Sequence, residues 1–121
     1  MNGELTDFLK AYEHANNSHV WENVEPFIAP DATYWFTDGS YEGIEEIRAA
    51  IEKTFTRIQD EVYEINNVHW PLVTDNNVVC TYNFAWRGVV NGQVASGGGR
   101  GTNVLEKQNG SWKIVHEHLS N

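Results

Sequence analysis

The sequence contains very little cysteine and little positive charge, and each shortage excludes a class of protein. Cys80 is the only cysteine among 121 residues, so no disulfide can form within the chain, and a cytoplasmic location is expected. Lysine and arginine together number 8 against 17 aspartates and glutamates, which gives a net charge of -9. Nucleic acid and anionic membranes offer no counter-charge to such a surface, so neither is expected as a partner.

The sequence also lacks a long apolar run. No segment approaches the roughly 18 consecutive apolar residues of a membrane-spanning helix. The polar start MNGELTD has neither the basic nor the apolar region of a signal peptide. Without repeats or a low-complexity linker, the chain is expected to form one domain over residues 1–121.

Aromatic residues, by contrast, are abundant, with five Trp, five Tyr and five Phe. In a chain of this size such rings either fill a core or line a cavity. Alternation along a strand places Tyr82, Phe84 and Trp86 on one face, and Tyr34 and Phe36 are partners in the same way on an earlier strand. Both interpretations stay open for these five rings, either core packing or contact with a ligand.

Helical spacing predicts three helices before the main run of strands. The first carries Leu5 to Ala15, and Ser18 is placed to cap a short second helix bearing Trp21 and Val24. Residues 31–37 (DATYWFT) read as a short strand, followed by a turn at 38–39. The third helix begins at Gly43, and its apolar stripe consists of Ile44, Ile47, Ile51, Phe55 and Ile58.

From Val62 onward the pattern is that of strands, with turn signals at 74–77, 91–92 and 109–110. The triplet at 97–99, three consecutive glycines, predicts a bulge or bend in a curved strand. This order of elements predicts an α+β fold, in which a long, strongly curved antiparallel sheet wraps three N-terminal helices as a cone. A conical cavity is then expected between the concave face of the sheet and the helices.

The closing hairpin has two faces that both look buried. Alternation assigns one face to Asn103, Leu105, Val115, Glu117 and Leu119, and the other to Thr102, Val104, Trp112, Ile114, His116 and His118. Helices of the same chain can cover the first face, and a second copy can cover the other, which predicts a homodimer through the outer sheet face. A two-residue turn at 109–110 would instead put Glu117 on the face of Thr102 and bring a histidine into the pocket.

Three polar side chains are aimed at the predicted interior and are the candidate catalytic residues. They are Tyr12 on the apolar stripe of the first helix, Asn103 beside Leu105, and Glu117 beside Leu119. A buried carboxyl meets water, pairs, or has its pKa raised, and a raised carboxyl pKa suits a general acid or base near neutrality. The alternative is that Glu117 lies at the solvent-exposed rim of the cavity and has no chemical role.

The sequence His116-Glu117-His118 places two imidazoles on one strand face, a spacing that chelates a metal if a third ligand is present. The alternative interpretation is that both histidines face the partner subunit. We assign no metal site and no cofactor from the sequence.

Several motifs together carry a resemblance that covers essentially the whole chain. These are the DATYWF strand, YEG before a helix, and RGTNVL with NGSWKIVHEHLS at the end. The chain resembles the nuclear transport factor 2-like superfamily, and more narrowly its SnoaL-like, ketosteroid-isomerase-related small proteins. Its hairpin is also similar to the association domain of calcium/calmodulin-dependent protein kinase type II. The resemblance implies a cone-shaped pocket and usually a dimer, but no single activity.

Within this resemblance, ketosteroid isomerase implies an oxyanion-hole role for Tyr12. Phe36 stands where that family has its aspartate base, and Asn103 stands roughly where it has a second acidic donor, so steroid isomerisation by that mechanism is not expected. The pocket arginines of the kinase association domain fall at Phe84, Asn103 and Leu119, so its cationic pocket is not expected either.

The resulting prediction is a small-molecule-binding domain whose ligand is small and apolar or aromatic. Its ligand-binding residues are Tyr34, Phe36, Tyr82, Phe84 and Trp86. Proton transfer by Glu117 of the isomerase, dehydratase or cyclase type would make it an enzyme. The alternative is a non-catalytic homodimerisation or regulatory module.

Overall fold

A computed structural model describes residues 2–121, in which helices come first and four long strands follow. The element order confirms the predicted α+β class. The helices are α1 (Asn2–Asn17), α2 (Trp21–Val24), a 3-10 turn (Glu25–Phe27) and α3 (Gly43–Arg57). The strands are β1 (Ile28–Phe36), β2 (Gly39–Glu42), β3 (Gln59–Val73), β4 (Asn77–Val90), β5 (Gln93–Gln108) and β6 (Ser111–Ser120).

The strands form one sheet in the order β2-β1-β6-β5-β4-β3. Strands β1 and β6 pair in parallel, and every other neighbouring pair is antiparallel, so the sheet is mixed at one position. In a flat sheet β1 and β3 would lie about 19 Å apart, because four strand spacings of roughly 4.8 Å separate them. Phe36 on β1 and Tyr63 on β3 nevertheless line the same cavity together with residues of α3, so the sheet curves around the helices.

The core lies between the helices and the concave face of the sheet. Helix α1 buries its predicted apolar stripe, and α3 buries Ile47 and Ile51. The largest fully buried side chains are Leu5, Tyr12, Val24, Tyr34, Ile47, Ile58, Val78, Cys80, Asn103, Leu105 and Ile114. No helix within residues 2–121 is long and apolar enough to cross a membrane.

Ser18 does not cap the second helix, contrary to the sequence prediction. The N-cap of α2 is Val20, which makes no side-chain cap bond. The backbone N–H of Ser18 donates to the carbonyl of His14, and its hydroxyl donates to Ala15, so Ser18 closes α1 instead. His19 then takes a positive φ of 57°, which separates the two helices.

Of the two features predicted for the glycine triplet, a bulge or a bend in a curved strand, the bulge is wrong. Strands β4 and β5 pair without interruption from Asn77 and Glu106 to Val90 and Gln93. Gly97 lies opposite Trp86, and a Cβ there would lie 2.6 Å from Nε1 of the indole. The glycine is needed because the Trp86 ring lies directly against the backbone of the neighbouring strand.

The closing hairpin has a two-residue turn, with Asn109 at φ 51° and Gly110 at φ 81°, the positive values of a type I′ turn. Sequence alternation linked such a turn to Glu117 on the face of Thr102, but Glu117 pairs with Asn103 and is buried. The reason is Val115, an extra residue between the pairs that Ile114 and His116 make with β5.

This bulge at Val115 reverses the alternation partway along β6. The prediction that Trp112 and Ile114 lie on the outer face with the histidines is therefore wrong. Both are buried on the inner side, with exposed fractions of 8% and 0%. His116 and Glu117 follow the bulge, so Glu117 still points inward with Asn103.

Candidate functional site

The three candidate catalytic residues lie close together in the interior of the fold. Each comes from a different element. Tyr12 lies on α1, Asn103 on β5 and Glu117 on β6. The Tyr12 hydroxyl donates a hydrogen bond to Oε1 of Glu117 at 2.8 Å. The Asn103 side-chain amide donates to the same oxygen at 3.2 Å. One carboxylate oxygen is thus fixed by two donors, and all three residues are buried.

Two further tyrosines hold these donors in place. The Tyr34 hydroxyl lies 2.8 Å from the Tyr12 hydroxyl, and since the Tyr12 proton points to Glu117, Tyr34 is the donor. The Tyr82 hydroxyl donates to Oδ1 of Asn103 at 2.8 Å, which orients the amide N–H towards Glu117. The structure therefore places Tyr34 and Tyr82 behind the cavity wall, where they support the site without lining it.

The environment of Glu117 brings the pKa of its carboxyl close to neutral pH. The side chain is only 3% exposed, and burial raises its pKa from 4.5 to about 7. Hydrogen bonds from Tyr12 and Asn103, together with the Tyr82 hydroxyl, oppose this rise by stabilising the ionised form. Burial together with the charge of Glu117 also raises the pKa of Tyr12, so Tyr12 keeps its proton.

The second carboxylate oxygen of Glu117, Oε2, differs from Oε1 in its hydrogen bonding. Among the residues that the structure describes, none donates a hydrogen bond to Oε2, because both donors reach Oε1. Glu117 also lines a cavity between the helices and the sheet. Its carboxyl therefore has one oxygen held by the protein and one oxygen free for an occupant of the cavity.

The cavity has a volume of about 480 Å³, within the usual range of roughly 300–1,000 Å³ for small-molecule sites. Its walls include three of the five predicted ligand-binding residues, Phe36, Phe84 and Trp86. The other apolar and aromatic lining residues are Tyr41, Ala50, Ile51, Phe55, Ile58, Tyr63 and Leu119. The polar and charged ones, besides Tyr12 and Glu117, are Asn16, Thr37, Asp38, Lys53, Thr54, Arg57, Glu61 and Asn121.

Sequence reasoning missed the contribution of β3 to this cavity. Tyr63 pairs with Trp86 across the sheet and lies on the same face, and Glu61 lines the cavity beside it. The signal was present, because Glu61, Tyr63 and Ile65 alternate with exposed residues. The prediction began this strand at Val62, whereas β3 begins at Gln59.

The histidines lie on the opposite, outer face of the sheet. His116 Nδ1 lies 2.7 Å from the Thr33 hydroxyl. The Trp35 ring packs edge-on against His116 and His118, with centroids 4.9 and 5.5 Å away. Residues 2–121 contain no group of three His, Cys, Asp or Glu side chains arranged to hold a metal ion.

The fold and cavity can now be compared with known proteins. The model of the SnoaL-like domain matches residues 4–121. The chain belongs to the SnoaL-like domain family. Its place in the wider nuclear transport factor 2-like superfamily, suggested by the sequence motifs, is thereby confirmed. None of the curated proteins compared with this SnoaL-like domain matches it.

Solved structures similar to this SnoaL-like domain share its fold at low sequence identity. A nuclear transport factor 2-like superfamily protein from Salmonella enterica serovar Typhimurium is 20% identical, with a TM-score of 0.90 over 98% of this chain and 89% of that one. A candidate aromatic ring hydroxylase from Novosphingobium aromaticivorans is 16% identical, with a TM-score of 0.86 over 96% and 85%. The association domain of the Caenorhabditis elegans calmodulin-dependent kinase II is 16% identical, with a TM-score of 0.80 over 99% and 95%.

Proposed function

We propose that this SnoaL-like domain binds a small molecule with an apolar, aromatic body, and that Glu117 exchanges a proton with it. The observation that carries the proposal is the free Oε2 of a buried carboxyl, at the wall of an aromatic cavity of about 480 Å³. Half of the lining residues are apolar or aromatic and half are polar or charged, which suits a ligand with an apolar, aromatic body that also carries polar groups.

The chemistry is proton transfer at a carbon next to a carbonyl group. Oε2 of ionised Glu117 takes the proton, leaving an enolate, and the protonated carboxyl returns it to the same or another carbon of the ligand. Return to another carbon completes an isomerisation. A pKa of about 7 serves both steps, because base and acid forms are then both populated near neutral pH.

Tyr12 and Asn103 act in this proposal as positioning residues. Each donates its hydrogen bond to Oε1, which fixes the carboxyl rotamer and keeps Oε2 free. This role differs from the oxyanion-hole role that the resemblance to ketosteroid isomerase implies for Tyr12, since the hydroxyl has only one proton to donate. The candidate aromatic ring hydroxylase among the structural neighbours supports an aromatic ligand class through its name alone.

The experiment uses 2-tetralone, a bicyclic ketone with acidic C–H groups, in D₂O, with loss of the proton signal followed by NMR. We expect the protein to accelerate exchange above the buffer rate and Glu117→Gln to lower that acceleration by about a hundredfold or more. Glu64→Gln is the matched control, because Glu64 is an exposed glutamate. Equal acceleration by wild type and Glu117→Gln would exclude Glu117 as the base.

A second candidate function, a homodimerisation or regulatory module, is favoured by the outer face of the sheet. Trp35 is 46% exposed there beside His116 and His118. The similarity to a kinase association domain supports assembly through this fold. The open cavity favours the binding function over this alternative, because a purely structural module has no need of an unfilled cavity beside a buried carboxyl.

The remaining proposals concern the partners of the protein and its location in the cell. The surplus of acidic residues supports a domain that binds neither nucleic acid nor anionic membranes. The single cysteine supports a cytoplasmic location. Fractionation of cells that express the tagged protein tests the location.

A further inference from the structure

A second carboxyl, that of Glu61 on β3, lines the same cavity as Glu117. Its side chain is partly buried, yet among the described residues no side chain or backbone group makes a hydrogen bond or ion pair with either of its carboxylate oxygens. Burial raises its pKa from 4.5 to about 7, and the nearby charge of Arg57 partly opposes that rise. A partly desolvated acceptor without a partner is costly, and an occupant of the cavity can supply the missing donor.

The backbone next to Glu61 forms a β-bulge. Between the pairs Gln59–Val89 and Val62–Arg87, β3 contains one residue more than β4, and Asp60 takes a positive φ of 55°. This bulge lies opposite Gly88, where a Cβ would come within 2.6 Å of Cγ2 of Ile58 and 2.8 Å of the Gln59 carbonyl. A bulge of this kind redirects side chains, and here the residue that follows Asp60 is the cavity-lining Glu61.

Glu117 and Glu61 line the cavity from strands that are not neighbours in the sheet. Glu117 on β6 pairs with Asn103, whose partner on β4 is Cys80. Glu61 on β3 lies in the bulge opposite Gly88, which is eight positions further along β4 than Cys80. The two carboxyls therefore lie at different places on the cavity wall, and a ligand that reaches both must extend along the sheet.

We propose that Glu61 is a second ligand-contacting residue, which accepts a hydrogen bond from a hydroxyl group on the outer end of a ligand whose inner end lies at Glu117. This inference rests on the proposed function, and it narrows the ligand class to an apolar, aromatic body with a hydroxyl at the end remote from Glu117. An ionised carboxyl only accepts hydrogen bonds, so it selects a donor such as a hydroxyl. A carboxylate on the ligand would be repelled by Glu61, although Arg57 and Lys53 also line the cavity.

The experiment compares 2-naphthol with the 1,5-, 1,6-, 2,6- and 2,7-dihydroxynaphthalenes by isothermal titration calorimetry at pH 8. At that pH the ionised form of Glu61 predominates. We expect at least one diol to bind about tenfold tighter than 2-naphthol, since a hydrogen bond to a charged acceptor contributes on that order. Glu61→Leu should abolish the gain. Glu64→Leu, which removes an exposed carboxyl three residues along the same strand, should retain it.

A second measurement covers the case in which Glu61→Leu does not fold. In the wild-type protein, the carboxyl carbon signal of Glu61 should shift on addition of the preferred diol and not on addition of 2-naphthol. The inference is overturned if no diol gains affinity, if the gain survives in Glu61→Leu, or if 2-naphthoate binds tighter than every diol.

The two proposals fail in different ways. If 2-naphthol binds and Glu117→Gln loses proton exchange with 2-tetralone, but no diol gains affinity, only the role of Glu61 is refuted. If none of these naphthalenes binds, the proposed function and the role of Glu61 are refuted together.

Discussion

The Tyr12 hydroxyl lies 2.8 Å from Oε1 of Glu117, and this hydrogen bond joins the first helix to the last strand across 105 positions of sequence. The bond holds one oxygen of a buried carboxyl and leaves the other free at the cavity. A site built this way exists only in the folded chain. Its stability, its acidity and its chemistry are therefore linked, and each can be tested separately.

The pKa of Glu117 predicts how stability changes with pH. Because folding raises this pKa from 4.5 to about 7, the folded state binds the proton more tightly than the unfolded state. The stabilisation from the protonated carboxyl is fully present below about pH 4.5 and is lost as the pH rises towards 7. Between pH 5.5 and 8 wild type should lose about 2 kcal/mol relative to Glu117→Gln, whose side chain does not titrate.

Urea denaturation of both proteins at pH 5.5 and 8 measures this difference. Titration of Glu61 occurs in both proteins and cancels from the comparison. A constant difference between the two proteins across this pH range would show that Glu117 titrates near its ordinary value.

Removal of the Tyr12 hydroxyl should change both stability and acidity. In Tyr12→Phe the carboxyl loses a donor that stabilises its ionised form, so its pKa should rise above about 7. The free energy of unfolding should fall by about 2 kcal/mol at pH 8, the usual size for a hydrogen bond to a charged group. NMR titration of the Glu117 carboxyl carbon measures the pKa. Tyr41→Phe, which removes an exposed bond to Asp38, is the control and should change neither quantity.

Cys80 should be unreactive in the folded protein. The side chain is fully buried, and burial raises the pKa of its thiol to about 12, so the reactive thiolate is absent at neutral pH. Labelling with a disulfide reagent such as 5,5′-dithiobis(2-nitrobenzoate) should be negligible in buffer and complete in 6 M guanidinium chloride. Rapid labelling of the native protein would contradict the burial of Cys80.

The outer face of the sheet should mediate assembly. Trp35→Glu places a charge on the patch formed with His116 and His118, so it should convert a homodimer into a monomer of 13.8 kDa. Sedimentation equilibrium measures the mass. Val94→Glu is the control, because Val94 is 89% exposed near the β4–β5 turn. A wild-type protein that stays monomeric at high micromolar concentration would refute the dimer.

The sequence by itself determined the elements and their order. Local patterns carry that information: the apolar stripe of α1, the glycine at the start of α3 and the turn residues at 91–92 and 109–110 all act within a few positions. The polar residues Tyr12, Asn103 and Glu117 could also be selected, because each interrupts an apolar face. Alternation along a strand, which is also a local pattern, selected the five aromatic residues for the ligand, and three of them line the cavity.

Only the tertiary structure decided which face each residue of the closing hairpin occupies. Alternation assumes an uninterrupted strand, but the extra residue Val115 reverses it, so Trp112 and Ile114 are buried while Glu117 still faces Asn103. A bulge is decided by how two strands fit against each other and the core, and that fit involves residues far apart in sequence. For the same reason, only the folded chain reveals that Oε1 of Glu117 is held and that Oε2 is free.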